Sequence, residues 1–114
     1  MKMHRFEDVF AWQQSKELTI LVYRYFKTCT DYGFKDQIQR AAVSVMNNIA
    51  EGFERNSDKE LRQFLYIAKG SCGEVRSMLI VAPDIGYLLP SRQNELIQLA
   101  TRTSQLLSGF IKKL

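Results

Sequence analysis

Apolar residues recur at three- and four-residue steps along nearly the whole chain, in four runs separated by short polar or glycine- and proline-bearing segments. That spacing predicts α-helices. The first covers about residues 6–26, with Val9, Trp12, Leu18, Leu21, Val22 and Phe26 on a broad apolar face and Asp8 as its N-cap. The cluster TILVYRYF (residues 19–26) would also suit a strand. The helix-forming AWQQSKEL before it, with no turn signal between, favours helix. The loop TCTDYG ends this element, with Gly33 as the break before the next.

The second helix is predicted over about 34–55, burying Phe34, Ile38, Ala41, Val45 and Ile49. Gly52 near its end suits a tight approach of another element. Ser57 and Glu60 form a capping-box pattern that opens a third helix over about 58–82. Its inner side carries Leu61, Phe64, Leu65, Ala68, Val75, Met78, Leu79 and Ala82. Gly70 and Gly73 each weaken an isolated helix by about 1 kcal/mol relative to alanine, a cost that close approach to a neighbouring helix would offset. Pro83 kinks or ends this helix, because its ring meets the carbonyl of Leu79. After IGYLLPS, Ser91 is the expected cap of a fourth helix over about 91–114. Leu96, Leu99, Ala100, Thr103, Leu107, Phe110 and Leu114 form its seam. Short loops between long amphipathic helices imply an all-α, antiparallel up-down-up-down four-helix bundle. No repeat or linker divides it, so residues 1–114 are expected to form one domain.

Composition changes little in this picture. A hydrophobic share of 46% is ample for a core at this length and leaves no segment disordered by composition. No apolar run nears the roughly 18–20 residues of a membrane span, and charges straddle the apolar residues at the N-terminus; a cytoplasmic protein is expected. Cys29 and Cys72 have no metal-ligand spacing and read as small buried or half-buried thiols. The net charge of +4 permits an acidic or nucleic-acid partner without requiring one.

Candidate chemistry is sparse. The sole histidine, His4, lies in a terminal segment, so a nucleophile–base pair has no evident base. The Glu-x-x-His pairs of di-iron bundles, a P-loop and a dinucleotide fingerprint are all absent, so neither catalysis nor a cofactor nor a metal is expected. A basic line does stand out: Arg62, Lys69 and Arg76 recur every seven residues, with Arg55 and Lys59 near its start. At 1.5 Å per residue it spans about 21 Å, enough to follow several phosphates, although a solvated face is the plainer explanation. Lys16, Arg24 and Lys27 are exposed by the same reading of the first helix. Tyr23, Tyr25 and Tyr66 offer rings for base stacking but suit core or interface equally. No helix-turn-helix, zinc-finger or RNA-recognition signature accompanies them.

The segments FEDVFAWQQSKEL, QIQRAAVSVMNNIAEGF, FLYIAKGSCGEV and GYL together resemble the bacterial four-helix-bundle family first noted as reading frames in intervening sequences of 23S ribosomal RNA. The second and third match the family's QIRRA-x-S-x-x-NIAEG and FL-x-IA-x-GS-x-x-E patterns. The resemblance implies a four-helix bundle and, as in several members, a ring-like homopentamer. A related branch, the accessory variability determinant proteins of diversity-generating retroelements, works beside a reverse transcriptase and is more basic than this chain. Pro83 also departs from the family pattern, which is usually continuous helix there.

Carried onto this sequence, the family signature places Arg40, Ser44, Asn48 and Glu51 on the second helix and Ser71 and Glu74 on the third. Paired across the two helices, these residues form a polar network that fixes register, with Arg40 or Asn48 meeting Glu74 or Ser71. The alternative is a ligand-lining pocket. Of Asn47 and Asn48, one is expected to face the network and the other solvent or a neighbouring subunit. The expected function is a non-enzymatic, homo-oligomeric scaffold or binding module. The alternative is a nucleic-acid-binding accessory protein using the basic helix faces, with RNA, DNA or another protein as candidate partners.

Overall fold

The computed structural model describes residues 5–114; His4 lies outside them. A 3-10 turn over Phe6–Asp8 precedes four α-helices: α1 (Phe10–Tyr25), α2 (Tyr32–Phe53), α3 (Asp58–Val81) and α4 (Pro90–Lys112). Thr19–Tyr25, the stretch that also suited a strand, is helical. The helices pair in a closed cycle, α1 with α2, α2 with α3, α3 with α4 and α4 with α1. Cross-helix contacts run in opposite directions along the first three pairs, which makes α4 antiparallel to α1 as well. On α1 and α2, Thr19 reaches the Ala42 carbonyl and Phe26 meets Phe34. On α2 and α3, Ser44 meets Ser71 and Gln37 meets Glu74. On α3 and α4, Cys72 reaches the Ala100 carbonyl and Gln93 that of Leu79. The result is an antiparallel up-down-up-down bundle measuring 43 × 21 × 19 Å.

Helix boundaries follow from local chemistry and correct several expectations. Asp8 is not the α1 cap. It falls in the 3-10 turn, and Val9 takes the cap position with no side-chain bond. Asp31 caps α2, its carboxylate accepting the Phe34 N–H at 3.1 Å. Gly33 therefore sits in the first turn of α2 instead of breaking the chain before it. Ser57 opens α3 as expected, accepting the Glu60 N–H at 3.1 Å. The Glu60 carboxylate, however, accepts the Ser57 hydroxyl at 3.2 Å and not its backbone N–H. Ser91 lies inside α4, which begins at Pro90: proline is tolerated at the first helical position, where its missing N–H is no loss.

Pro83 ends α3 cleanly. Lacking an N–H, it cannot bond the carbonyl of Leu79 four residues back, and the helix stops at Val81. The orphaned Leu79 carbonyl accepts from the Gln93 side chain of α4 at 3.2 Å. The chain then turns through Gly86, whose φ of 81° suits glycine.

The four apolar stripes converge on one core: Leu18, Val22 and Phe26; Ile38, Val45 and Ile49; Leu65, Cys72, Val75 and Leu79; Leu96, Ala100 and Leu107. Trp12, Phe34, Phe110 and Leu114 pack half-buried at its edge, and Ile111 joins the α4 seam. Polar residues inside the bundle are satisfied locally. Thr19 donates to the carbonyls of Ser15 and Ala42, and Thr103 to that of Leu99. No buried side-chain N or O atom among the described residues lacks a partner.

Glycines divide into two kinds. A Cβ at Gly52 would stand 2.9 Å from the Phe64 Cβ and 3.0 Å from the Leu61 Cδ1, so α2 and α3 approach there only because a side chain is missing. Gly70 and Gly73 make no such approach within the chain. They lie on the outward side of α3, with nothing within 4 Å of an added Cβ. At the bundle end formed by the α1–α2 and α3–α4 loops, the Tyr25 hydroxyl donates to Glu95 while Arg92 stacks 4.6 Å from the Tyr25 ring. Beside them the Tyr87 hydroxyl donates to Asp31 at 2.7 Å, and its ring meets Phe34 edge-on. The Tyr87 hydroxyl, and then the Phe34 N–H, hold the Asp31 carboxyl below its ordinary range.

Gly52→Ala is expected to lower stability by about 1 kcal/mol in urea unfolding, overpacking outweighing the gain in helix propensity. Gly109→Ala, whose methyl meets open space, is expected to raise it by roughly 0.5–1 kcal/mol. The Asp31 contribution is present above the ordinary aspartate pKa and is lost as pH falls through the lower folded value. In an NMR titration, Tyr87→Phe should move the Asp31 midpoint up toward that ordinary value.

Candidate functional site

The α2–α3 seam gathers part of the polar set that the sequence singles out. Ser44 on α2 and Ser71 on α3 face each other with hydroxyl oxygens 2.8 Å apart. Asn48, one turn after Ser44, donates its side-chain amide to the Ser44 carbonyl at 2.8 Å and to its hydroxyl at 3.1 Å. These three residues are half-buried and satisfy one another, while Asn47 points to solvent. Toward the Asp31 end, Gln37 donates to Glu74 at 3.3 Å, the other polar link across the seam.

Arg40 and Glu51 do not join the network. Arg40 is exposed and pairs with Asp36 one turn back on its own helix at 2.8 Å. Glu51 is exposed and pairs with Arg55 at 3.0 Å. Both lie where α2 turns toward solvent, so each finds its partner four residues away on one surface. The expected meeting of Arg40 with Glu74 is replaced by Gln37, which stands one helical turn closer to the bundle end. Asn48 reaches Ser71 only through the Ser44 hydroxyl.

The candidate nucleic-acid residues also divide. Arg55 is engaged at the α2–α3 turn, with Glu51 at 3.0 Å, Glu60 at 3.9 Å and the Phe64 ring 4.8 Å away. Lys59 is exposed at the start of α3. Arg62, Lys69 and Arg76 run along α3 on the side toward α4, one turn from Leu65, Cys72 and Leu79. Among the described residues no carboxylate stands within 4 Å of any of the three.

Cys72 is fully buried and donates its thiol to the Ala100 carbonyl at 3.0 Å. Burial pushes this thiol up to about 11, despite an opposing field from Arg76, which keeps it protonated and unreactive at neutral pH. Cys29 is half-buried, and the two thiols are free. No group of three or more potential metal ligands occurs among the described residues. No helix there is long and apolar enough to cross a membrane.

One cluster crosses a helix boundary that sequence spacing does not reveal. Tyr23, Arg24 and Lys27 of α1 and its C-terminal end line a groove with Lys35 and Gln39 of α2. The three cations are separated along the chain by a loop and a cap, so only the antiparallel α1–α2 pairing brings them together.

Ser44→Ala should cost about 1 kcal/mol, the loss of a half-buried hydrogen bond. The Ser44→Ala/Ser71→Ala double variant should lose less than the sum of the two singles, since each removes the same contact. Arg40→Ala should stay within about 0.5 kcal/mol of the parent in the same urea titrations, as for an exposed pair.

The description of the 23S rRNA-intervening sequence protein family matches residues 7–109, nearly the full length. No curated protein matches the chain. Among solved structures, a protein of unknown function from the S23 ribosomal protein family of Bacteroides thetaiotaomicron superposes with a TM-score of 0.84. It is 21% identical, and the match covers 90% of this chain and 98% of that one, so it supports the fold. Four helices in a closed antiparallel cycle, and a family match running from the 3-10 turn almost to the end of α4, place this chain in the 23S rRNA-intervening sequence protein family.

Proposed function

We propose that the protein is a non-enzymatic, cytoplasmic scaffold or binding module that works as a homo-oligomer, a pentamer by family resemblance, with the outward face of α3 as its seam. The observation that carries this reading is the character of that face. Tyr66, Ile67 and Ile80 are 56%, 52% and 56% exposed, and Val81 is exposed beside them. Between them Gly70 and Gly73 stand open, and Gln63 and Ser77 add no charge. A stripe of apolar and small residues along the outward face of α3, interrupted by Glu74 between Ile67 and Val81, suits close packing against another protein surface. Arg62, Lys69 and Arg76 border it on one side and Glu60 on the other, as a polar rim would. The non-enzymatic part of the reading rests on the α2–α3 polar groups, which are turned toward one another and not toward an open site.

A second reading, a nucleic-acid-binding accessory protein, is favoured by the same basic border. Arg62, Lys69 and Arg76 keep their charge free of carboxylates, and an oligomer would repeat the line once per protomer.

Light scattering at micromolar concentration tests the first reading. The expected mass is a multiple of the 13.2 kDa protomer. Ile67→Asp should return it to one protomer with its helical circular dichroism intact. A parent protein that is already a monomer removes the scaffold reading.

A further inference from the structure

Apart from the α3 line, the least neutralised concentration of cations lies on the far side of α2, in the α1–α2 groove. Arg24 and Lys27 project from the last turn of α1 and its end, both exposed, and Lys35 projects from the first turns of α2. With Tyr23 and Gln39 they line an open cavity of about 460 Å³. No acidic residue lines it. The carboxylates nearest in sequence are already engaged elsewhere: Asp31 accepts from Tyr87 and the Phe34 N–H, and Asp36 pairs with Arg40. The Lys35 ammonium donates to the Lys27 carbonyl at 3.0 Å, which ties the two sides of the groove together and fixes a positive charge near its floor. Tyr23 is 46% exposed, whereas the neighbouring Tyr25 is held by Glu95 and covered by Arg92. Lys16, seven residues before Tyr23 on the same stripe of α1, extends the positive track along the bundle.

We infer that this groove binds a short stretch of single-stranded nucleic acid, with Arg24, Lys27 and Lys35 on successive phosphates and the Tyr23 ring stacked on an adjacent base. A row of cations without carboxylate partners supplies the phosphate affinity. An exposed aromatic ring beside that row supplies the sequence-tolerant base contact typical of single-strand binding. Gln39 adds an amide that donates to or accepts from a base edge. A lipid headgroup surface shares the phosphate chemistry, but the exposed Tyr23 ring and the Gln39 amide beside the cations are groups that a base would use. The inference extends the nucleic-acid reading to a second contact, separate from the α3 line, and does not depend on oligomer formation.

The test is fluorescence anisotropy of a labelled single-stranded RNA of about 12 nucleotides, titrated with the full chain across a salt series from about 50 mM upward. The parent protein should bind with affinity that falls steeply with salt. Arg24→Ala/Lys27→Ala should weaken binding at least tenfold at about 50 mM salt and flatten the log–log salt slope by about 1.4, at roughly 0.7 per phosphate on a single strand. Tyr23→Ala should weaken it at least about fivefold with the slope unchanged. Lys112→Ala/Lys113→Ala, which removes the same charge at the opposite end of the bundle, should stay within about twofold of the parent. An equal loss in both double variants overturns the groove, since net charge alone would then explain binding. A loss confined to Arg62→Ala/Lys69→Ala overturns the groove and leaves the α3 line as the nucleic-acid face. Absence of RNA binding by the parent overturns both. Binding to vesicles of about 30% anionic lipid without RNA binding assigns the groove to a lipid surface instead and overturns the inference.

Discussion

The approach of α2 to α3 at Gly52 is the constraint on which the rest of the bundle depends. With a hydrogen in place of a side chain, the end of α2 comes down onto Leu61 and Phe64 at the start of α3. The turn between the helices is only four residues long, so this contact and the Ser57 cap together set the angle at which α3 departs. Once that angle is set, Ser44 falls opposite Ser71 and Gln37 opposite Glu74, and the apolar stripes of the two helices meet in register. α4 and α1 complete the cycle against the surface that α2 and α3 present. Hydrophobic burial supplies the driving force for all four seams. It does not choose among alternative registers, and the small polar groups and the absent side chain do.

The surface divides along the same lines. Where two helices meet, polar side chains are used up: Ser44, Ser71 and Asn48 on one another, Cys72 on the Ala100 carbonyl, Gln93 on the carbonyl left free by Pro83. Where a helix faces outward, acids on α2 neutralise bases one turn away, as in the pairs of Asp36 with Arg40 and Glu51 with Arg55. Cations without a carboxylate partner run together in two places, the α4 side of α3 and the α1–α2 groove. A net charge of +4 describes the molecule poorly, because local neutralisation leaves most of the surface mixed and two strips cationic.

Most of the fold was legible in the sequence, because helical periodicity is a local property. The inner faces assigned to the four runs are the faces that are buried, and Pro83 and Ser57 act where their chemistry says they must. Boundaries were less legible. Asp8, Gly33 and Ser91 are all reasonable punctuation, yet a nearby residue does the work in each case: Val9 after a 3-10 turn, Asp31 two residues earlier, and Pro90 with its preset backbone. At the polar seam, Ser44, Asn48 and Ser71 come together, whereas Arg40 and Glu51 do not. A stripe of residues at three- and four-residue steps drifts around the helix, and only the depth of the neighbouring helix decides which members reach across. The glycines of α3 show a related limit: spacing shows that a side chain is missing but not which way the gap faces, and here it faces away from the other helices of the chain. The α1–α2 groove was the least legible feature, since Lys35 and Gln39 join Tyr23, Arg24 and Lys27 only through tertiary pairing.

The two ends of the rod are fastened differently, and this gives the molecule a direction in its slow motions. At one end, the tyrosines at positions 25 and 87 tie α1 to α4 and the α3–α4 loop to the α2 cap, over a stack that includes Phe34. At the other end, the edge-on contact of Phe53 with Phe110 and the packing of Arg55 on Phe64 hold α2 to α4 and to α3. One inter-helix loop, between α2 and α3, lies at that second end and two lie at the first, so fewer covalent ties join the helices there. Fewer ties between helices at one end favour sub-global opening there over the end where the tyrosine contacts join α1, α2, α4 and the α3–α4 loop. The α1–α2 groove sits beside the fastened end. Its cations are thus carried on the more densely tied end of the bundle.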